Sequence, residues 1–384
     1  MQVIEGNCTS AKIFTDNIEQ SALNQIISLT NNESFKDCKI RIMPDVHAGK
    51  AGPIGFTSTF TNRVLPNIVG VDIGCGMSMY VLDGVKNVDF NKLDKFIRQN
   101  IPSGFNIRKE PINTAYLTDL DSLRCKDHIN KDKAYKSIGT LGGGNHFIEL
   151  DRFSNGDIAL IVHTGSRHLG LEVCDYYLKA GQKELKSKGI NVPYEMTYLE
   201  GTYTPYCSNN LLDDYIHDLE IVQAFAANNR YAILEDIRKY MKWYIKLDGS
   251  YSCIHNYIEV LEDRAFIRKG AISAYYGEPV IIPVNMRDGI IIGTGKGNPD
   301  WNYSAPHGAG RLMKRSDVKN NYTVSAFKKE MKGIYTTSVS ADTLDEAPFV
   351  YKNIDEIINN IQDTVEVKEV IKPIYNFKAG KGDN

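Results

Sequence analysis

The chain has 384 residues, with 45 lysine and arginine residues against 47 aspartate and glutamate residues and a formal net charge of −2. This balance excludes a uniformly basic nucleic-acid-binding coat and an acidic tail protein. With 42% hydrophobic and 24% charged residues, the composition is that of a globular protein and excludes wholesale disorder.

The seven cysteines show no tight spacing pattern, which indicates free or metal-bound thiols in a reducing compartment. No stretch of the sequence approaches the ~18 consecutive apolar residues that a membrane span requires. The first residues, MQVIEGNCTS, lack the basic and then apolar pattern of a secretion signal. We therefore expect a cytoplasmic protein that does not associate with membranes.

The first half of the chain contains two segments with strand character. Short apolar runs broken by glycine and proline extend from Cys38 to Met79, and the same style returns from Leu141 to Gly170. In the second segment the run ALIVH has the length of a strand and ends on His163, before a Thr-Gly-Ser turn. A strand that ends on a polar side chain is a rigid support for a functional site.

The second half begins with a helical pattern. Apolar residues recur every three or four positions from Leu211 to Lys246, and strand character returns over residues 280–297. From Val324 to Val370 we predict two short helices, FKKEMKGI and IDEIINNIQDTV, around a connecting segment. No internal repeat or long linker divides the chain, so one α/β (α+β) domain over residues 1–384 is favoured over two domains.

The motif VGVDIGCGM contains two side chains that bind metals. Asp72 and Cys75 offer a carboxylate and a thiolate, and the neighbouring glycines let the backbone approach closely. A buried structural cysteine in a tight turn explains this motif alone equally well, since free cysteine is among the most buried residue types.

The glycine-rich segment LGGGNHFIEL predicts an anion site. Gly142–Gly144 would give backbone N–H groups free access to an anion. Asn145, His146 and Glu149 follow directly, and they could supply a hydrogen-bond donor, a ligand and a carboxylate acceptor. The glycine run by itself serves equally well as a plain turn.

Two further histidines lie in similar contexts. His163 is followed four residues later by Arg167, a donor suited to phosphate. His255 precedes Asn256 in CIHNYIE, where a buried core histidine is the simpler interpretation.

A fifth histidine and an acid complete the inventory. In SAPHGAGR, His307 is flanked by small residues and followed by Arg311, which is typical of an exposed nucleophile. Asp45 and His47 lie two residues apart, on one face of the chain if it is extended. Cys75, His146, His163 and His255 beside Asp72 suit a transition metal, and the whole set indicates metal-assisted phosphoryl or nucleotidyl chemistry. GTGKGNPDW is not a Walker loop and no Lys-x-Asp-Gly motif occurs, so a covalent nucleotide would have to lie on histidine.

The motifs occur together, and in this order, in the RtcB family of RNA-splicing ligases, which the chain resembles from about Arg41 to Gly380. They are MPDVHAGKAGPIG, VGVDIGCGM, LGGGNHFIE, HTGSRHLG, HNYIE, HGAGR, DEAPFVYK and YNFKAG. The resemblance implies mixed β-sheets surrounded by helices, with a central metal and nucleotide cleft. It also implies a GTP- and Mn²⁺-dependent ligase that joins RNA 2′,3′-cyclic phosphate or 3′-phosphate ends to 5′-hydroxyl ends, in RNA repair or tRNA splicing.

The resemblance also implies a role for each matching residue. Two Mn²⁺ ions would share Cys75, with Asp72 and His146 on one ion and His163 and His255 on the other. His307 would be the nucleophile that becomes guanylylated, and Asp45 and Arg167 match positions associated with later steps or RNA ends. The implied GTP contacts are Asn145, His146, Phe147, Ile148, Glu149, His255, Asn256, Pro283, Asn285, Met286, His307, Gly308, Ala309, Gly310 and Lys378.

The chain departs from the family pattern in one nucleotide-binding segment. Where the family has a Pro-Gly-Ser-Met-type sequence with a serine four residues later, this chain has Pro283–Ile290, PVNMRDGI. Two alternatives therefore stay open: a metal-dependent RNA cyclic phosphodiesterase that has lost ligation, and a non-catalytic binder of RNA ends. The sequence identifies neither the physiological RNA nor an activating protein partner.

The net charge conceals segments of opposite sign. Residues 314–332 carry six lysine or arginine residues against two acidic ones, a net charge of +4. Residues 335–370 carry eight acidic residues against two lysines, a net charge of −6. The basic segment is a candidate RNA-binding surface, although a solvated helix face has the same pattern.

Overall fold

A computed structural model of the protein describes residues 1–60 and 62–380. Its strands are β1 (Gln2–Glu5), β2 (Ser10–Ile13), β3 (Ile40–His47), β4 (Ile54–Thr59), β5 (Arg63–Val64), β6 (Gly76–Asp83), β7 (Phe147–Arg152), β8 (Ile158–Thr164), β9 (Leu199–Glu200), β10 (Tyr244–Ile254), β11 (Asn256–Val260), β12 (Ala265–Lys269), β13 (Ala271–Ser273), β14 (Pro279–Asn285), β15 (Gly289–Gly295), β16 (Ser304–Pro306) and β17 (Val365–Phe377).

The α-helices of the same ranges are α1 (Gln20–Thr30), α2 (Pro66–Val69), α3 (Phe90–Asn100), α4 (Lys131–Ser137), α5 (Arg167–Ser187), α6 (Leu211–Met241), α7 (Arg315–Asn321), α8 (Val324–Glu330) and α9 (Ile354–Asn360). Short 3₁₀ segments occur at Glu33–Phe35, Asn113–Leu117, Leu120–Ser122, Lys126–His128, Tyr194–Met196, Pro299–Trp301, Leu344–Glu346 and Pro348–Val350.

Two large sheets organise the fold. One has six strands in the order β1-β2-β3-β4-β12-β11, and the other has seven in the order β10-β6-β8-β7-β17-β15-β14. The apolar run Ile158–Val162 is fully buried in β8, as expected for a strand covered on both faces. The predicted α/β class, with mixed sheets surrounded by helices, is confirmed.

The long helix α6 packs along the seven-stranded sheet. Its first turn is capped by the side chain of Asn210, which accepts a hydrogen bond from the backbone N–H of Asp213. It ends at Met241, and its C-cap Lys242 has a φ of 59° in the left-handed region. The prediction of a helical pattern to Lys246 is wrong beyond this point, because Tyr244 begins β10. Ile233, Leu234 and nearby apolar residues of α6 pack against the buried side chains of β8, so tertiary burial fixes this predicted helix.

The other helices and strands that the sequence predicts agree with the structure in part. Residues 280–297 form β14 and β15 as predicted. The segment that we predicted as strand-like to Gly170 instead turns into α5 at Arg167, whose φ of 56° is in the left-handed region. The predicted last helix ends at Asn360, and the prediction is wrong beyond it because Val365 begins β17. β17 is fixed by pairing with β15 and β7, which are distant in sequence.

Among the described residues, we find no helix that has both the length and the apolar character needed to cross a membrane.

Candidate active site

Four neighbouring strands of the seven-stranded sheet bring metal-ligating side chains together at one row of strand ends, which we call the sheet edge. β10, β6, β8 and β7 are successive antiparallel neighbours. His255 directly follows β10, Cys75 directly precedes β6, His163 lies near the end of β8, and His146 directly precedes β7. Because antiparallel neighbours alternate in direction, these four positions all fall at the same edge.

The four side chains are in contact with one another. The Sγ atom of Cys75 lies 3.5 Å from Nε2 of His146 and 3.4 Å from Nε2 of His163. Nε2 of His163 lies 3.4 Å from Nε2 of His255, and Nε2 of His146 lies 3.2 Å from Oδ2 of Asp72. The side chains form two possible metal-binding groups that share Cys75: Asp72, Cys75 and His146, and Cys75, His163 and His255.

Backbone hydrogen bonds orient two of the imidazoles. Nδ1 of His146 lies 2.9 Å from the carbonyl oxygen of Leu141, and Nδ1 of His163 lies 3.3 Å from that of Asn145. A carbonyl oxygen only accepts, so Nδ1 carries the proton in both rings and each Nε2 presents a lone pair to the cluster. Imidazoles held this way by a second hydrogen bond are typical of metal sites, and this donor set therefore fits a transition metal.

Burial sets the protonation of the cluster. It lowers the pKa of His163 and of His255 well below the ordinary value, so both imidazoles are neutral, as ligands must be. Burial and the nearby charge of Asp72 raise the pKa of the Cys75 thiol well above its ordinary value. Partial burial raises the pKa of Asp72, but hydrogen bonding to His146 outweighs it and lowers the value overall.

Two buried cations lie within electrostatic range of the cluster. The fully buried Arg230 donates to the carbonyl oxygens of Gly74, at 2.8 Å, and Thr164, at 3.0 Å. Lys269 donates to the carbonyl oxygen of Val69 at 3.0 Å. These acceptors are neutral, so the positive charges of Arg230 and Lys269 favour negative charge on Asp72 and Cys75.

His307 lies beside this cluster and contacts the predicted acid. It follows β16, and its ring centroid is 4.7 Å from that of His255. Nδ1 of His307 lies 2.6 Å from Oδ2 of Asp45, whose side chain is fully buried on β3. The carboxylate accepts a hydrogen bond from the Nδ1–H group, which leaves the lone pair of the His307 ring on Nε2.

A cleft with about 730 Å³ of empty space, counting its open mouth, lies next to His307. It is lined by most of the residues predicted to contact GTP: Asn145, Phe147, Glu149, Pro283, Asn285, Met286, His307, Gly308, Ala309, Gly310 and Lys378. Further lining comes from His47, His163, Val284, Arg311, Arg315, Glu346, Tyr351 and Asn376.

One buried carboxylate gathers three cations in the cleft. Glu346 is 3.0 Å from Nζ of Lys378, 3.4 Å from Nη1 of Arg311 and 2.5 Å from Nη1 of Arg315. Burial would raise the pKa of Glu346, but these three cations lower it to about 2, so it is ionised at neutral pH. The cations outnumber this carboxylate, and the excess positive charge suits a phosphate-bearing ligand.

A second carboxylate lines the cleft next to Asn376. Asn376 donates through Nδ2 to Glu149, whose pKa is raised to about 7 by burial. Asp151, two residues along β7, is also buried, and its pKa is raised by burial and by the charge of Glu149. The two acids are therefore not both ionised at neutral pH.

Of the residues predicted to contact GTP, those that do not line the cleft are His146, Ile148, His255 and Asn256. Asn256 donates to the carbonyl oxygen of Asp72 at 3.1 Å and accepts from the backbone N–H of Gly270 at 3.0 Å, so its amide holds the loops around the cluster. The side chain of Ile148 packs in the hydrophobic core. His146 and His255 belong to the metal-ligating cluster.

Arg167 lies under the glycine-rich segment. Its Nε donates to Oγ1 of Thr140 at 3.0 Å, and its Nη2 donates to the carbonyl oxygen of Gly104 at 2.9 Å. Burial lowers the pKa of Arg167, although the charge of Asp72 partly opposes that shift. The role predicted for Arg167 at RNA ends stays a prediction.

The departing segment 283–290 forms a closed turn. Oδ1 of Asn285 accepts from the backbone N–H groups of Arg287 and Asp288, and its Nδ2 donates to Asp288 at 2.8 Å. Its carbonyl oxygen and one of its two Nδ2 hydrogens are therefore used within the turn. Ile290 is buried in the core between strands.

Sequence reasoning gave no role to several cleft residues. Glu346 and Tyr351 belong to the motif DEAPFVYK, which we quoted only for the family resemblance. His47 was noted beside Asp45, and its Nδ1 lies 3.0 Å from the carbonyl oxygen of that residue. Asn376 belongs to the motif YNFKAG and Arg315 to the basic segment 314–332, but no local pattern indicated that the folded chain brings residues 315, 346 and 376 to one cleft.

Comparison with known families agrees with this site. A family model described as tRNA-splicing ligase RtcB matches residues 27–379, nearly the whole chain. The match thus identifies the chain as a member of a family of RNA ligases. The chain belongs to the RtcB family, as the motifs predicted.

Individual relatives match over most of their length. The chain is 30% identical to the RNA-splicing ligase RtcB1 of an Escherichia coli strain, over 94% of this chain and 95% of the relative. It is 29% identical to the RNA-splicing ligase RtcB of Escherichia coli K12, over the same shares. It is 27% identical to the tRNA-splicing ligase RtcB of Nanoarchaeum equitans, over 83% of each chain.

Proposed function

We propose that this protein is a GTP- and Mn²⁺-dependent ligase that joins RNA 3′-phosphate or 2′,3′-cyclic phosphate ends to 5′-hydroxyl ends. The observation that carries the proposal is the 2.6 Å contact between His307 Nδ1 and Asp45, beside both the metal-ligating cluster and the cleft. It supports a tautomer with the proton on Nδ1 and the nucleophilic lone pair on Nε2.

The residues that would hold the metals are Asp72, Cys75 and His146 for one ion, and Cys75, His163 and His255 for the other. Bound divalent cations supply Lewis-acid neutralisation of phosphate oxygens. Their identity as Mn²⁺ and their number are part of the proposal.

His307 is the nucleophile of the first step. Its Nε2 lone pair forms a P–N bond to the α-phosphorus of GTP while the bond to the bridging oxygen breaks and pyrophosphate leaves. Asp45 holds the Nδ1 proton and offsets the positive charge that develops on the ring. The cations around Glu346 attract the phosphates of GTP into the cleft.

The later steps consume the guanylyl group. An oxygen of the RNA 3′-phosphate attacks the phosphorus, and the P–N bond to His307 breaks to give a pyrophosphate-linked cap. The 5′-hydroxyl oxygen then attacks the RNA phosphorus, loses its proton to solvent and expels GMP. A cyclic phosphate is first opened to the 3′-phosphate by addition of water across the P–O2′ bond.

A joining assay tests this proposal. One RNA with a 3′-phosphate and one with a 5′-hydroxyl are incubated with the protein and Mn²⁺, with and without GTP, and the products are resolved by length. We expect a joined product only with GTP. GTP-independent joining, or no joining with any of these ends, would contradict the proposal.

The segment 283–290, which departs from the family pattern, favours a second candidate function. Because the carbonyl oxygen and one Nδ2 hydrogen of Asn285 are used within its own turn, the cleft offers fewer free donors to a nucleotide there. A metal-dependent RNA cyclic phosphodiesterase without ligase activity would need no nucleotide. It would convert 2′,3′-cyclic phosphate ends to 3′-phosphates in the same assay, with no joined product at any GTP concentration.

A further inference from the structure

Phe105 is the most exposed large hydrophobic side chain among the described residues, with a relative exposure of 102%. It lies on the turn of residues 103–106, where the backbone N–H of Asn106 donates to the carbonyl oxygen of Ser103 at 3.0 Å. Gly104 supplies the positive φ, 62°, at the first central position of this turn. The turn therefore holds the aromatic ring out in solvent.

Hydrogen bonds attach this turn to the glycine-rich segment. The backbone N–H of Gly104 donates to the carbonyl oxygen of Gly142 at 2.9 Å, and that of Leu141 donates to Pro102 at 2.8 Å. The guanidinium group of Arg167 also donates to the carbonyl oxygen of Gly104. Phe105 is thus held at a fixed position relative to the active site, and it does not lie on a free loop.

Gly142 contacts both this turn and His146 of the metal-ligating cluster. A β-carbon built on Gly142 would overlap the guanidinium of Arg167 and would come within 2.8 Å of Nδ1 of His146. Beyond it the surface is open, because a β-carbon on Gly144 would have no other atom within 4 Å and Asn145 is exposed. A bare backbone surface of this kind leaves room for a polymer chain to reach the cluster.

We propose that Phe105 is a stacking platform for the unpaired terminal nucleobase of the RNA substrate. The inference rests on the proposed function, since it assigns a subsite for the RNA end. Exposed aromatic rings beside an open backbone groove are a usual means of holding single-stranded RNA. Phe105 is a positioning residue and takes no part in bond making.

Binding of fluorescent RNA tests the proposal. Two short single-stranded RNAs carry 2-aminopurine at their terminal position, one at a 3′-phosphate end and one at a 5′-hydroxyl end. They are titrated with the protein and Mn²⁺ in the absence of GTP, so that no joining occurs. Because stacking quenches 2-aminopurine, at least one RNA is expected to lose fluorescence on binding, and the arm that responds identifies the end.

Phe105→Ala is expected to abolish this quenching and to weaken RNA binding about tenfold, or about 1.4 kcal/mol. Phe105→Trp keeps a ring and is expected to restore both. Tyr206→Ala, on another loop at 96% exposure, is the matched control and is expected to bind as wild type does. Thermal unfolding checks that each variant is folded.

The outcomes separate this inference from the proposed function. Equal affinity and equal quenching for Phe105→Ala and wild type would overturn the role of Phe105 while leaving ligation intact. Loss of affinity that Phe105→Trp does not restore would also overturn it, since stacking requires only a ring. Failure of the wild-type protein to join RNA would contradict the proposed function, and absence of any RNA binding would overturn both.

Discussion

The metal-ligating cluster and the neighbouring cleft are built from different parts of the architecture. Four adjacent strands deliver Cys75, His146, His163 and His255 to one sheet edge, where regular pairing fixes their spacing. The cleft also uses β7, β14 and β17 of this sheet, but it is closed by loops and short helices that ion pairs around Glu346 hold together. Pro283, Asn285 and Met286 of the segment that departs from the family pattern line the cleft. The comparison indicates that the proposed metal site depends on the strands, whereas the proposed nucleotide site depends on a set of charges.

Replacement of Cys75 by alanine should have the largest effect, because this side chain belongs to both metal-binding groups. We expect metal affinity to fall by more than the ~10–100-fold that loss of an outer-shell partner costs. Metal content measured by mass spectrometry after incubation with Mn²⁺ and dialysis checks this. Cys174→Ala, which removes another fully buried free thiol, is the control and should retain metal. Equal metal content in the two variants would exclude Cys75 as a shared ligand.

Asp45→Asn tests the link between the two regions. The asparagine amide can donate to Nδ1 of His307, which would place the imidazole proton on Nε2 and remove the nucleophilic lone pair. We expect the rate of covalent labelling by GTP to fall by about 10²–10⁴-fold, with metal content unchanged. Single-turnover labelling measures the rate. An unchanged rate would show that the Asp45 carboxylate does not determine which ring nitrogen of His307 carries the proton.

The sequence predicted the sheet edge better than the cleft, and the reason is physical. A polar residue at the end of an apolar run, such as His163, is visible locally, because strand pairing places it at an edge. Lys378 and Glu346 meet only because β17 brings the end of the chain back to the cleft, and our prediction extended a helix into Val365, its first residue. Helix α5 was missed because the backbone reverses at Arg167 with a positive φ, which no pattern in HTGSRHLG indicated.

Glu346→Gln should loosen the cleft without touching the sheet edge. It removes a buried charge and leaves Lys378 and Arg311 without their carboxylate partner, while Arg315 keeps its ion pair with Asp345, so the free energy of unfolding at pH 7 should fall by roughly 3–5 kcal/mol. Because the folded-state pKa of about 2 is below the ordinary value, this stabilisation is full above about pH 4.5 and is lost as the pH falls toward 2. Denaturant unfolding between pH 3 and 7 should therefore show a smaller acid-induced loss in the variant. Parallel pH profiles for the two proteins would contradict this.

Charge reversal on α8 should have the smallest effect. Lys328 and Lys329 are exposed within the basic segment 314–332, so Lys328→Glu with Lys329→Glu should weaken RNA binding and reduce its salt dependence by about 0.7 in log–log slope per lost phosphate contact. Covalent labelling by GTP should be unaffected. The control pair, Lys183→Glu with Lys186→Glu, reverses exposed charges on α5 instead. Unchanged RNA binding in the α8 variant would place the RNA path elsewhere.

The most direct test of the account is covalent labelling with GTP that carries a radioactive α-phosphate. Wild-type protein with Mn²⁺ should acquire a label that acid removes and alkali does not, as expected for a phosphoramidate. His307→Ala should acquire none, and His128→Ala, which replaces an exposed histidine of another segment, should be labelled as wild type is. A label that persists in His307→Ala, or a wild-type protein that takes no label with any divalent metal, would contradict the central claim that His307 carries the nucleotide.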